Sequence, residues 1–286
     1  NLNVEGSVSA SGGSIIAGGI CGSNSGTITG CTFHGSVSGS DASAVTVGGV
    51  CGTNDGAVEN CWNAGKVTVG NATSLKAGGV CGMNQGTVEN CWNDGSVTAK
   101  DGVASLTAGG VCGMNQGTVE NCWNDGSVTA KDGVASLTAG GVCGQNYRTV
   151  ENCLNTGAVT TSGSSTYNYA GGVCGYNQSF VNENSGIVEN CLNTGEVTAT
   201  GSASYAGGVC GSNYGTVTHC YWLNTACDNG IGSSDDQQKA TPKTSEQLAS
   251  GEVAYLHNTD NNTKPWRQNL DNDKEKDLIP VLEALD

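Results

Sequence analysis

Residues 77–107, AGGVCGMNQGTVENCWNDGSVTAKDGVASLT, recur letter for letter at 108–138, and looser copies extend to either side. The anchor Gly-Gly-Val-Cys-Gly starts at Gly48, Gly78, Gly109, Gly140, Gly171 and Gly207, with an Ile variant at Gly18. The steps between anchors are 30, 30, 31, 31, 31 and 36 residues. A period of this length marks a chain that stacks one structural unit, each too small to bury a core alone.

Composition points the same way. Among 286 residues there are 46 Gly but only two Phe and two Met, so a thick core of large side chains is excluded. Glycine lowers the packable area and raises the cost of ordering. A narrow core of small residues along an axis fits better. Disorder is the competing reading of a Gly-, Ser-, Asn- and Thr-rich chain, but solvated linkers need no register, and Val and Cys keep theirs.

Eleven basic residues against twenty-six acidic ones give a net charge of −15. Neutralising a phosphate backbone needs clustered Lys and Arg, so nucleic acid and anionic membrane surfaces are not expected partners. No apolar run approaches the roughly 18–20 residues needed to span a bilayer, so no membrane insertion is expected in this segment. The chain starts at Asn1 with neither Met nor a signal-type segment and reads as part of a longer chain.

Within 77–107 three β-prone pieces alternate with turn chemistry. Ala77–Cys81 is followed by Gly82-Met83-Asn84-Gln85-Gly86, Thr87–Cys91 by Asn93-Asp94-Gly95, and Ser96–Ala99 by a longer corner from Lys100 to Thr107. Asn, Asp and Gly tolerate positive φ and punctuate turns. No apolar pattern of period 3.6 runs through the unit. Three strands and three corners in about 31 residues predict an all-β chain: a parallel β-solenoid of the right-handed β-helix kind, with about seven coils. At one interstrand spacing per coil the rod would be about 35 Å long. Val80, Val111 and Val142 then form an inner row, and Asn84, Asn115 and Asn146 a corner row whose amides bond from coil to coil. The extra residues of the sixth unit, around Gln178–Ser185, fall at a corner, where insertions belong.

The unit GGVCGMNQGTVENCWNDGSVT at 78–98 resembles the GLUG repeat of bacterial surface proteins, over residues from about 15 to 222. The tail is similar to the closing segment of such proteins at Cys220-Tyr221-Trp222-Leu223, at SEQLASGEVAYLHN (245–258), at Trp266–Leu270 and at Ile279-Pro280-Val281-Leu282. The resemblance implies an extracellular, cell-surface or secreted, adhesin-like setting. It also implies partners that are host or cell-surface proteins or glycans. Such repeats accompany certain immunoglobulin A peptidases as well, which need a His-Glu-x-x-His zinc site. Here His34, His219 and His257 stand far apart with no such motif, so that activity is not carried over.

Fourteen cysteines fall in pairs, Cys21/Cys31, Cys51/Cys61, Cys81/Cys91, Cys112/Cys122, Cys143/Cys153, Cys174/Cys191 and Cys210/Cys220, with Cys227 left over. Zinc sites space close Cys or His pairs by two to four residues, which none of these does. Disulfides within a coil need Cα atoms within about 7 Å. Buried free thiols acting as small apolar side chains, stacked in structural ladders, are the favoured alternative. A catalytic Cys is not expected, because nothing distinguishes one thiol from its copies.

Trp62, Trp92 and Trp123 follow the second Cys in successive coils and are continued by Leu154 and Leu192. An exposed stripe would be a ligand platform for sugar rings or a protein; the alternative is packing. Glu59, Glu89, Glu120, Glu151 and Glu189 also fall in register. Stacked carboxylates repel and invite Ca²⁺, as does the alternation of Asp271, Asp273, Glu275 and Asp277, though a solvated face explains both. No cofactor is otherwise expected. Thr occurs singly, as at Thr87 and Thr98, not in the doublets of an ice-matching face.

Periodicity stops near Asn224, and the polar stretch from Asp228 to Pro242 reads as loose. Thr244-Ser245-Glu246-Gln247 has the form of a capping box, predicting a short helix through Ala249 and a second turn over Glu252–His257. Residues 1–230 are assigned to the solenoid and 231–286 to a C-terminal cap, because a bare solenoid end exposes strand edges. The expected function is a non-enzymatic structural or adhesin-like module, a spacer or protein-interaction rod. The alternative is a carbohydrate-binding module using the Trp row or the corner loops. A polysaccharide-cleaving site would single out one coil, and none is singled out.

Overall fold

The computed structural model describes residues 1–133, 135–179, 185–233, 240–259, 264–270 and 277–283. It is a parallel β-solenoid in which like lies over like. Cys81 pairs with Cys112 above and Cys51 below, Thr87–Glu89 with Thr118–Glu120, Trp92 with Trp123, and Val97 with Val128. The coils build an eight-stranded sheet from the Cys81–Asn84 strands, a seven-stranded sheet from the Thr87–Glu89 strands, and an eighteen-stranded sheet from the remainder. Among the described strands the one antiparallel pair lies in the tail, Trp266–Arg267 against Val281–Leu282.

Two of the expected strand limits shift. The first strand is Cys81–Asn84 rather than Ala77–Cys81. Ala77 and Gly78 end the preceding strand, and Gly79 and Val80 turn the corner. That corner is steric: a Cβ on Gly79 would overlap the Gly110 carbonyl oxygen of the next coil and the Asn93 side chain. The second shift is larger. Lys100–Thr107 is not a loop but part of a strand, Val97–Gly109, that runs out, bends at Asp101 (φ 56°) and returns. Its outgoing and returning legs bury Val97, Ala99, Leu106 and Ala108 between them.

Each coil therefore has two compartments. One is lined by Val80, Cys81, Val88 and Cys91, the other by the Val, Ala and Leu of the folded-back strand. At their junction a column of wholly buried amides rises, Asn63 Nδ2 donating to Asn93 Oδ1 at 2.7 Å, Asn93 to Asn124, Asn124 to Asn155 and Asn155 to Asn193. Aromatic residues close it at both ends, Phe33 lying under Asn63 and Trp222 over Asn193. The expected corner row bonds in the same way, Asn84 to Asn115 and Asn115 to Asn146, each at 2.9 Å. The Asn93-Asp94-Gly95 turn needs no positive φ. At the neighbouring corner the left-handed residue is Asn60, Asn90, Asn121, Asn152 and Asn190 in successive coils, replaced by His219 in the last. Asn93 spends its amide on the column instead.

The tail begins by continuing the solenoid. Ile231–Ser233 adds to the first sheet over Cys210–Asn213, and Ala240–Lys243 adds to the large sheet over Cys220–Leu223, so both of these parts of the stretch read as loose are strand, while 234–239 lie outside the described residues. Ile231, Ala240 and Trp222 close the Cys-lined compartment. Helix α1 (Ser245–Ala249) starts in the expected capping box, Thr244 Oγ1 accepting from Gln247 N and Gln247 Oε1 from Thr244 N. Helix α2 (Glu252–Thr259) follows. None of the described helices is long and apolar enough to cross a membrane.

Candidate functional site

The tryptophan row forms a column. Trp62 and Trp92 stack with centroids 5.3 Å apart and planes 16° apart; Trp92 and Trp123 stack at 5.0 Å and 5°. His34 closes the lower face of Trp62 edge-on at 5.5 Å. The rings thus turn their faces on one another along the axis, and a sugar ring meets edges rather than a flat surface. The change to Leu154 and Leu192 has a cause in the cap. Those two and Tyr221 are covered by Leu248, Val253, Trp266 and Leu282, and Trp123 packs at the border of this cluster. The cap therefore lies along the side of the last coils, where a half-buried Trp gives way to a fully buried Leu.

The glutamate column is in register from Glu59 to Glu189. Burial, followed by Glu120 and Glu59, holds the Glu89 carboxyl above its ordinary range; burial and a hydrogen bond with Glu151 do the same for Glu120. At the top of the column His219 Nδ1 lies 3.7 Å from Glu189. Among the described residues no group of three or more His, Cys, Asp or Glu side chains is arranged to hold a metal ion. Asp271, Asp273 and Glu275 lie outside the described residues.

All fifteen cysteines are free thiols. Cys21 through Cys210 form one row and Cys31 through Cys220 the other, all buried except half-exposed Cys21 at the open N-terminal end. Second-row thiols donate to main-chain carbonyls, Cys91 to Glu89 at 3.2 Å and Val58 at 3.5 Å, Cys122 to Glu120 at 3.1 Å and Val88 at 3.6 Å. Burial pushes the thiols of Cys91, Cys122 and Cys191 well up, while burial opposed by hydrogen bonds from neighbouring thiols leaves Cys112, Cys153 and Cys174 below the usual thiol range. Reaction of a thiol needs exposure as well as the thiolate form, and from Cys31 to Cys220 both rows are buried, packed against the Val80 and Val88 rows.

What sequence reasoning passed over is a set of tyrosines in the fifth to seventh coils. Tyr169 sits above Thr138 and Tyr176 above Gln145, in rows whose lower members include Thr107 and Lys76 in the one and Met114 and Met83 in the other, none of them aromatic. Tyr169 stacks on Tyr205 (5.4 Å, 22°) and on Tyr167 (5.9 Å, 5°), and meets Tyr176 edge-on at 5.5 Å; Tyr176 meets Tyr214 at 5.6 Å. Burial, then the neighbouring phenols, pushes Tyr169 up to about 12. The available signal was departure from the repeat, not the repeat itself.

No protein-family model matches the chain, and no curated protein matches it in sequence. Among solved structures, the chain is similar to one described as "a putative immunoglobulin A1 protease from Bacteroides ovatus", at 17% identity and a TM-score of 0.47. The likeness covers 88% of this chain and 70% of that one.

Proposed function

We propose that this chain is a non-catalytic rod, a GLUG-type repeat module of an extracellular bacterial surface protein. In this reading it acts as a spacer or protein-interaction stalk. The observation that carries the reading is the in-register stacking of near-identical coils. Each adds one storey and the same set of hydrogen bonds, so length is the adjustable property. The exact copy at 108–138 is what such adjustment leaves behind. Thiols packed in a closed core also suit an oxidising exterior, since an oxidant must reach the sulfur.

Deleting residues 108–138 tests the reading. The shortened chain is expected to unfold cooperatively and to lose one interstrand spacing, about 4.8 Å, in small-angle scattering. A shortened chain that fails to fold would remove the argument from modularity. Turnover of any peptide or glycan by the intact chain would remove the non-catalytic part. Antibody labelling of intact cells reads the location, and an antigen reached only after lysis would contradict it.

A further inference from the structure

The cap covers the side of the last coils and Trp222 closes the Cys-lined compartment, but the second lobe ends differently. Its last legs are Val197–Thr200 and Ser204–Gly207, and among the described residues no strand pairs with their far edges. Above them lies an open cleft of about 430 Å³. Its walls include Tyr205, Glu196, Thr198, Ser204, Asp228 and Asn229.

Three observations make this cleft unlike an ordinary frayed end. First, the lobe core turns polar as it approaches. The row Ile15, Val45, Leu75, Leu106, Leu137 continues as Asn168 and then Ser204. Asn168 is wholly buried, donates to Thr200 O at 3.1 Å and Ser204 Oγ at 3.4 Å, and its Oδ1 has no partner among the described residues. A buried unpaired oxygen costs about 1–3 kcal/mol, so this row is not built for stability alone. Second, Tyr205 ends the tyrosine stack. One face lies on Tyr169, and among the described residues no further ring stacks on the other, on the side where the cleft lies. The Trp column, by contrast, has His34 and the cap cluster at its two ends. Third, the chain crosses the cleft at both ends, Val197 N donating to Ala226 O at 3.0 Å and Gly208 N to Asn229 O at 2.7 Å. That crossing interrupts the strand edges and blocks a continuous added strand, which is how an extended peptide would dock. Isolated hydrogen-bonding positions remain.

From this arrangement we infer that the cleft binds a neutral oligosaccharide. A pyranose ring offers an apolar C–H face to Tyr205 and hydroxyls that donate to the Glu196 and Asp228 carboxylates. The same hydroxyls accept from Asn229, Ser204 and Thr198. The two carboxylates also select by charge, since an anionic sugar would meet like charge. This inference builds on the reading of the chain as a non-catalytic surface module and names its ligand class and place.

The test titrates the 286-residue chain with cellohexaose, xylohexaose, mannohexaose and maltohexaose, with hexagalacturonate as the charged comparison. At least one neutral hexasaccharide is expected to bind saturably and to slow alkylation of Cys227, the half-exposed thiol in the cleft wall. Tyr205→Ala is expected to weaken binding at least tenfold with the fold retained by circular dichroism, and Glu196→Gln to weaken it several-fold. Hexagalacturonate is expected to bind at least tenfold more weakly. Absence of neutral-sugar binding at the solubility limit overturns the inference. So does binding that survives Tyr205→Ala but is lost in Trp92→Ala, which moves the site to the Trp column. The rod reading fails separately: sugar recovered as shorter fragments ends the non-catalytic claim while binding stands.

Discussion

In the compartment between the first two sheets, Val80, Cys81, Val88 and Cys91 keep their identity at almost every storey. In the lobe beside it, one row passes from Ile through Val, Leu and Asn to Ser over seven coils. The two compartments share a backbone, a register and a coil spacing, so the difference lies in how much room each allows. The first is confined by three short strands and the Gly78-Gly79 corner, where no extra atom fits. The second is two legs of one folded strand, free to change length at its tip. Tight confinement keeps a row uniform; a flap that can open tolerates variation, and variation is where a ligand can be accommodated.

Glycine-to-alanine substitution is expected to act oppositely in the two compartments. Gly79→Ala puts a methyl into the next coil's carbonyl and the Asn93 amide, and is expected to cost more than about 4 kcal/mol or to prevent folding. Gly70→Ala, where a Cβ meets nothing closer than 3.5 Å, is expected to be neutral or to stabilise by about 0.4–1 kcal/mol. Urea denaturation of both reads the contrast, and equal effects would dissolve it. Leu106→Ala, in the well-packed part of the lobe, should cost about 2–5 kcal/mol. A loss below 1 kcal/mol would mean that the lobe is soft throughout.

Asn93→Ala removes an acceptor from Asn63 and a donor from Asn124 at the junction of the compartments. Each orphaned group costs about 1–3 kcal/mol, and hydrogen exchange should rise in the coils above and below together. Acid offers a contrast between body and cap. His257 lies buried against Tyr221 and Trp266, and burial holds it down at about 3. Its unfolded form takes up a proton first, so the cap loses about 1.4 kcal/mol per pH unit as pH falls from about 6.5 toward 3. Glu89 and Glu120 are raised, so the folded body takes up protons first and gains stability as pH falls through the upper carboxylate range. Exchange protection of 245–259 should therefore fall on mild acidification while that of 87–93 holds or rises. The smallest effect is expected at Thr161, whose buried hydroxyl has no partner among the described residues and whose neighbours above and below are Ala199 and Ala130. Thr161→Ala should be neutral or stabilise by up to about 1 kcal/mol. A clear loss would show that the polar upper lobe is structurally required.

Much of this was legible in the residues. The Gly-Gly-Val-Cys-Gly anchors set the period, and the period set the stacking partners, from Cys81 over Cys51 to Glu120 over Glu89. The capping box at Thr244 announced α1. The second lobe was legible too, had the alternation of Val97 with Ala99 and of Leu106 with Ala108 been read as two strand legs rather than a corner. Asn93 was harder, since one residue type serves both turns and amide columns. Only its burial separates the two uses.

What the letters alone determined is which residues share a row, because a parallel stack transmits the repeat unchanged from storey to storey. What needed the tertiary structure is which rows face outward and which ends stay open. The cap's path along the side of the last coils turns Leu154 and Leu192 into buried contacts and leaves the last strands of the upper lobe with no strand paired to their far edges among the described residues. That outcome comes from contacts between segments far apart in the chain, made once and not repeated, and a periodic signal carries no information about an event that happens once.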